Sequence, residues 1–226
     1  MKRCCSLPAL WVVAISCAGC SSDQKGLENA RRGQEHAPAP PAVQQLSETQ
    51  EQQKQVALAA RDALFQQLLN RLSDALASAG PAAAIDVCQK QAPQIAAEVS
   101  SRFGVDIGRT SHRLRNPDNA PPDWARPLVD QRTAEPQFVS LDDDGLGVLL
   151  PIHLKPQCLM CHGPEQQILP EVRDALARHY PDDQATGFQE GDLRGWFCIS
   201  VPGGARLPTE SEPSVPSTDV NGSQDS

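Results

Sequence analysis

Cys158 and Cys161 are separated by two residues and followed at once by His162, which gives C-x-x-C-H over 158–162. That spacing lets two thiols reach the two vinyl groups of one haem and sets the next imidazole beneath the iron. At ordinary composition such a pattern arises by chance in roughly one chain of this size per thousand. Other chemistries compete for the same residues. A thioredoxin-like dithiol needs a βαβ pattern, which does not precede the motif, and it leaves the His unexplained. A zinc site needs a second Cys/His pair at ligand spacing, and none follows. A structural disulfide between Cys158 and Cys161 is the plain alternative. The expectation is one covalently attached haem c, with His162 as an iron ligand.

The ligand on the opposite side is open to several residues. The chain has 2 methionines, and the one beyond Met1 is Met160, held between the two attachment cysteines. It cannot reach round to the far face of the haem, so Met ligation, which raises the potential of many cytochromes c, is excluded. Cys88, Cys198, His112, His153 and His179 remain. His36 falls in a linker, and His179 falls at a helix end, where a solvated or capping role suits it. Cys88 lies on the apolar face of a helix, either as a ligand or as an inert small hydrophobe. A Cys88–Cys198 disulfide is the third reading, the default for two leftover cysteines of an exported chain.

The elements that must position these groups follow from periodicity. Val56, Ala60, Leu64, Leu68, Leu72 and Leu76 recur every four residues, the stripe of a long amphipathic helix. Gly80-Pro81 stops it and opens the next. A second helix over 82–101 carries Ala84, Ile85, Cys88, Ala92, Ile95 and Val99 on one face. Pro93 inside it cannot donate to the carbonyl of Gln89, so a kink near Cys88 is expected. Beyond Gly104, Val105-Asp106-Ile107, Gln137–Leu141, Gly147–Ile152 and Trp196–Val201 read as short strands, with one helix over Pro170–His179 before the last. Helices first and strands later predict an α+β domain with an antiparallel sheet.

The chain has 226 residues and a formal charge of −8. One domain fits that length, and the acidic balance excludes a nucleic-acid partner. Aromatic residues are few, with 5 Phe, 3 Trp and 1 Tyr, so the core has room for a large apolar group from elsewhere. Lys2-Arg3, the apolar run 7–15 and Ser16-Cys17-Ala18-Gly19-Cys20 are similar to a bacterial lipoprotein leader, although Cys17 stands where Leu is usual. On that reading 1–19 is the signal peptide, Cys20 carries the lipid, and Ser21 favours the outer membrane over the inner. Residues 20–51, rich in Pro, Gln and Ser, read as a flexible linker. The foldable unit spans 52–202, and 203–226 reads as a disordered tail.

From Ala63 to Val201 the chain resembles periplasmic single-haem c-type proteins with a PAS-like domain. The resemblance rests on Ala84–Cys88, Ala92–Ala96, Gly108–Ser111, Arg115–Pro121, Cys158–Gly163, Tyr180–Asp183 and Gly187–Gly195. It implies N-terminal helices on a PAS-like sheet, and iron held by His162 and by a cysteine on an N-terminal helix, which is Cys88 here. Cys198 departs from the pattern, which has a small or apolar residue there. Arg109 and Arg115, with Arg113, are candidates to pair haem propionates through bidentate hydrogen bonds; the alternative is that they merely solvate a loop or pin the Asn116-Pro117 turn. The expected function is electron transfer by a lipid-anchored periplasmic mono-haem protein, which requires a partner redox protein. A redox or gas sensor with a separate output partner is the alternative. A peroxidase ranks third, because it needs an open iron site and distal acid–base groups that the sequence does not offer.

Overall fold

The computed structural model describes Val43 and residues 45–208. The expected signal peptide, Cys20 and nearly all of the tail lie outside the described residues. Helix α1 (Glu48–Ala79) begins inside the segment read as linker, because Ser47 caps it. The Gln50 N–H donates to Ser47 Oγ at 3.2 Å and the Ser47 N–H donates to Gln50 Oε1 at 3.0 Å, a reciprocal capping box. Gln53, one turn on, is buried and donates to the carbonyls of Asp144 (2.8 Å) and Pro202 (3.2 Å), tying the helix start to the sheet.

Gly80, at φ 81°, ends α1, and Pro81 opens α2 (Pro81–Asp86). The single kinked helix expected over 82–101 is three segments: α2, a π-helical turn (Val87–Gln91) and α3 (Ala92–Phe103). Pro93 explains the turn. It has no N–H for the ladder, and the last donor before it, the Ala92 N–H, reaches back five residues to the Val87 carbonyl. Cys88 therefore sits in the one π-helical segment of the described chain.

Strands β1 (Asp106–Thr110), β2 (Gln137–Ser140), β3 (Leu146–His153) and β4 (Leu193–Val201) form one antiparallel sheet in the order β1-β4-β3-β2. A short α4 (Arg126–Asp130) precedes β2, a helical turn α5 (Leu159–His162) carries the C-x-x-C-H motif, and α6 covers Pro170–His179. The fold is α+β, as the pattern implied. Phe197, Ile199 and Val201 of β4 and Leu146, Val148 and Leu150 of β3 face α1 and α3. The residues between them, Trp196, Cys198 and Leu149, face the other way against Leu128 and Val129 of α4. Both faces of the central strands are thus buried, which is why β3 and β4 read as continuous apolar runs.

This alternation decides the fate of Cys198. Its side chain is on the α4 face, whereas Cys88 belongs to the helices packed on the opposite face, and the sheet lies between them. All described cysteines are free, so the Cys88–Cys198 disulfide does not form. Burial pushes the Cys198 thiol pKa far up, and it stays a neutral core group.

Candidate functional site

The motif is built on a single helical turn. A 3₁₀ turn (Pro156–Cys158) leads into α5, and the Gly163 N–H donates to the Leu159 carbonyl at 2.9 Å to close it. A β-carbon on Gly163 would stand 2.6 Å from that carbonyl oxygen, so the residue after His162 must be glycine. The loop over 183–188 folds back onto the turn. The Gly187 N–H donates to the Gly163 carbonyl (2.7 Å), and the Phe188 N–H donates to the His162 carbonyl (3.0 Å).

Within this clamp His162 Nδ1 lies 2.7 Å from the Ala185 carbonyl. A carbonyl only accepts, so Nδ1 carries the proton and the Nε2 lone pair is free. Desolvation, with Arg115 and Arg194 adding to it, holds the imidazole pKa well below its usual value, so the ring is neutral at neutral pH. A neutral, oriented imidazole with its other nitrogen tied to a carbonyl is the form that ligates a metal.

Arg115 is the buried brace of the site. Its Nη2 donates to the carbonyls of Cys161 (2.6 Å) and Ala185 (3.2 Å), and its Nε meets Asp183 Oδ2 at 3.0 Å. Asp183 Oδ1 accepts the Ala185 N–H at 2.7 Å. Nη2 therefore holds the backbone of the motif and of Ala185 while Nε holds Asp183, a bracing role that the sequence did not announce. Arg115→Met is expected to lower stability by about 3–5 kcal/mol, because it leaves the Asp183 carboxylate buried without its counter-charge. Urea denaturation measures the loss, and a change under about 1 kcal/mol would count against this role.

Arg109 contrasts with Arg115. It is half-buried on β1 and has no hydrogen-bond or ion-pair partner among the described residues. It borders a narrow cleft of about 40 Å³ that also touches Leu64, Cys88, Ala92, Pro93 and Ala96. A second cleft, about 300 Å³, lies against Arg115, His179 and Tyr180 and shares Pro93 and Asn116 with the first. Cys88 is near the motif, since its thiol contributes to raising the pKa of Cys161 to about 11, where burial is the main cause. Tyr180 is pushed up to about 12 by burial and then by Cys88. Cys88, Arg109 and Arg115, distant in sequence from Cys158–His162, thus lie close enough to act electrostatically on the motif.

The remaining candidate ligands are placed elsewhere. His153 is exposed at the end of β3, with Nδ1 3.1 Å from the Gly191 carbonyl. His179 pairs with Asp86 Oδ1 at 3.1 Å. His112 lies edge-on to Phe188 and Trp196, and its buried Nδ1 has no hydrogen-bond partner. Arg194, Ala185, Asp183 and Phe188 are site residues that motif reading left without a role. They lie in the blocks 180–183 and 187–195 or beside them, where the chain alternates Gly, Asp and apolar residues with no familiar spacing.

The arrangement brings together the donor types that a haem requires. It offers two thiols on one turn, a free Nε2, an apolar wall, a thiol on that wall and an unpaired cation. A family model described as Tll0287-like matches residues 36–202. Among solved structures, the crystal structure of the cyanobacterial heme-protein Tll0287 matches at 24% identity, over 66% of this chain and 94% of that chain, with a TM-score of 0.49. No curated protein matches significantly.

Proposed function

Since the chain belongs to the Tll0287-like family, we propose that it is a haem protein carrying one covalent haem c and acting in electron transfer. The observation that carries this reading is His162 beside Cys158 and Cys161, its Nδ1 proton held by Ala185 so that Nε2 is left for iron. Cys158 and Cys161 would hold the haem as thioethers, and Cys88 would be the ligand opposite His162. Arg109 would pair a propionate, its charge otherwise unmatched, and Arg115 would contribute while bracing the motif. A bound haem supplies a reversible one-electron centre. Two protein ligands leave the iron no open position for a substrate, which favours a carrier over a peroxidase. The helices on one face of the antiparallel sheet support the PAS-like description.

A sensor is the second reading, favoured by one feature. Cys88 lies in a π-helical turn beside Pro93, an irregularity of the kind found frequently at functional sites. Displacement of Cys88 would then reshape the helix and signal to a separate partner. The test of the main reading is the absorption spectrum and potentiometric titration of protein matured in a periplasm. A reversible one-electron couple with a six-coordinate spectrum in both states is expected of the carrier. Protein that matures without a haem spectrum would refute the reading.

The setting proposed is the periplasm, with a lipid on Cys20 anchoring the domain, the outer membrane favoured, and the linker giving it reach to a partner redox protein. Cys20→Ala is expected to leave the precursor unprocessed or to move the protein from the membrane to the soluble fraction. Normal membrane association with a mature N-terminus elsewhere would count against the anchor.

A further inference from the structure

Strand β4 contains a residue that the sheet does not pair. Ile152 of β3 is opposite Gly195 and His153 is opposite Leu193, so Arg194 is the extra residue of a β-bulge. Bulges re-aim side chains and recur next to functional sites. Gly195 makes this one possible, because a β-carbon there would stand 2.2 Å from the Thr110 carbonyl oxygen. The bulged Arg194 places its Nε 3.3 Å from His162 Nδ1. The Nδ1 proton is committed to Ala185, so Nδ1 cannot also accept, and the contact sets a cation against the imidazole rather than forming a second hydrogen bond.

We infer that Arg194 is a positioning residue for the iron's electrostatics: its fixed charge beside His162 raises the midpoint potential above the value that the Cys88/His162 ligand pair alone would give. This rests on the proposed haem site. The charge is held in place. Arg194 Nη1 donates to Ser111 Oγ (2.8 Å) and to the Arg113 carbonyl (3.1 Å), while Ser111 Oγ donates to the Arg194 carbonyl (2.7 Å) and accepts the Arg113 N–H (3.0 Å). Arg113 itself lies 4.3 Å over the Phe188 ring and donates to the carbonyls of Gln184 and Thr186, closing off that side. Among the described residues no carboxylate forms an ion pair with Arg194. A guanidinium keeps its charge at neutral pH even when buried.

The sign follows from charge. Reduction removes one positive charge from the iron, so a nearby cation favours the reduced state, and more strongly where water is excluded. Two features act oppositely. A Cys88 thiolate donates density to iron, and the Ala185 carbonyl makes the His162 ring more basic. Arg194 offsets both. A merely structural role, pinning Ser111 and Arg113 to the bulge, would not depend on charge.

The test measures midpoint potentials of matured holoprotein for the wild type, Arg194→Met, Arg194→Lys and Ser111→Ala. Arg194→Met is expected to lower the reduced-to-oxidised ratio at the wild-type midpoint about tenfold, which is about 59 mV for one electron. Arg194→Lys, which keeps the charge, should restore most of the shift. If Arg194→Met fails to retain haem, Ser111→Ala decides, since freeing the guanidinium should move the potential down by a smaller amount. An unchanged midpoint in Arg194→Met with haem bound overturns the inference. So do equal shifts in the Met and Lys variants, or an unchanged midpoint in Ser111→Ala when Arg194→Met holds no haem. Wild-type protein without haem overturns the haem reading instead, a separate result.

Discussion

Replacing both Cys158 and Cys161 with Ser is expected to abolish haem staining of the protein on a denaturing gel. Wild-type protein should retain the stain after boiling in detergent, with a mass above that of the mature chain by one haem. The complete loss follows from where attachment resides. Thioether bonds survive unfolding, whereas ligation by His162 and Cys88 and contact with the cleft wall would vanish with the fold. Each single Ser variant keeps one thiol and should hold some stain. The double variant is also informative when native, because His162 remains oriented by Ala185 and the Arg115 bonds to backbone carbonyls do not involve either sulfur. Native double variant should still take up free haem in the cleft and release it to acidified organic solvent. Release of haem from the wild type under the same extraction would overturn covalent attachment.

Much of this arrangement was legible before any coordinate was known, and the failures have physical causes. Helix α6 matches its expected span, because Pro170 fixes its start and Tyr180-Pro181 its end. Alternation places β1 and β2, and apolar runs place β3 and β4, to within a few residues. The start of α1 was missed because its first turns are Gln- and Glu-rich, although Ser47 and Gln50 carried the capping signal. Pro93 announced an irregularity at Cys88. That the relief takes the form of a π-turn depends on how α2 and α3 are held by α1 and α6, which no local pattern states. The side of the sheet that Cys198 faces was in principle readable, since it is in phase with Trp196 and out of phase with Phe197 and Ile199. Its choice between faces nevertheless waits on which face the helices cover. Arg194 was invisible for a stronger reason. A bulge is a property of two paired strands, and β3 and β4 are joined by a long connection, so their register cannot be counted from either sequence alone.

Cys88→Ala tests the ligand that the sequence could place only through resemblance. The structure gives Cys88 a wall position in the cleft bordered by Arg109 and puts it close to Cys161 and Tyr180. The sheet lies between it and Cys198, and both thiols are free. As a thiolate opposite His162 it would donate charge to iron and favour the ferric state, giving a midpoint well below that of Met/His cytochromes. Binding to ferric iron itself favours deprotonation of the thiol. In a sensor, reduction would weaken the sulfur's hold and let Cys88 take up a proton and withdraw, whereas in a carrier Cys88 would stay bound. The π-turn and Pro93 give the backbone at that point a route to relax. Spectra of wild type and Cys88→Ala are to be recorded in both oxidation states, with and without carbon monoxide. The variant should lose the low-spin thiolate signature in the ferric state, gain a higher midpoint and bind carbon monoxide when reduced. Carbon monoxide binding by reduced wild type as well would mark Cys88 as displaceable and move the reading from carrier to sensor. A ferric spectrum unaltered by Cys88→Ala would remove Cys88 from the iron and leave it a small apolar residue of the helix wall.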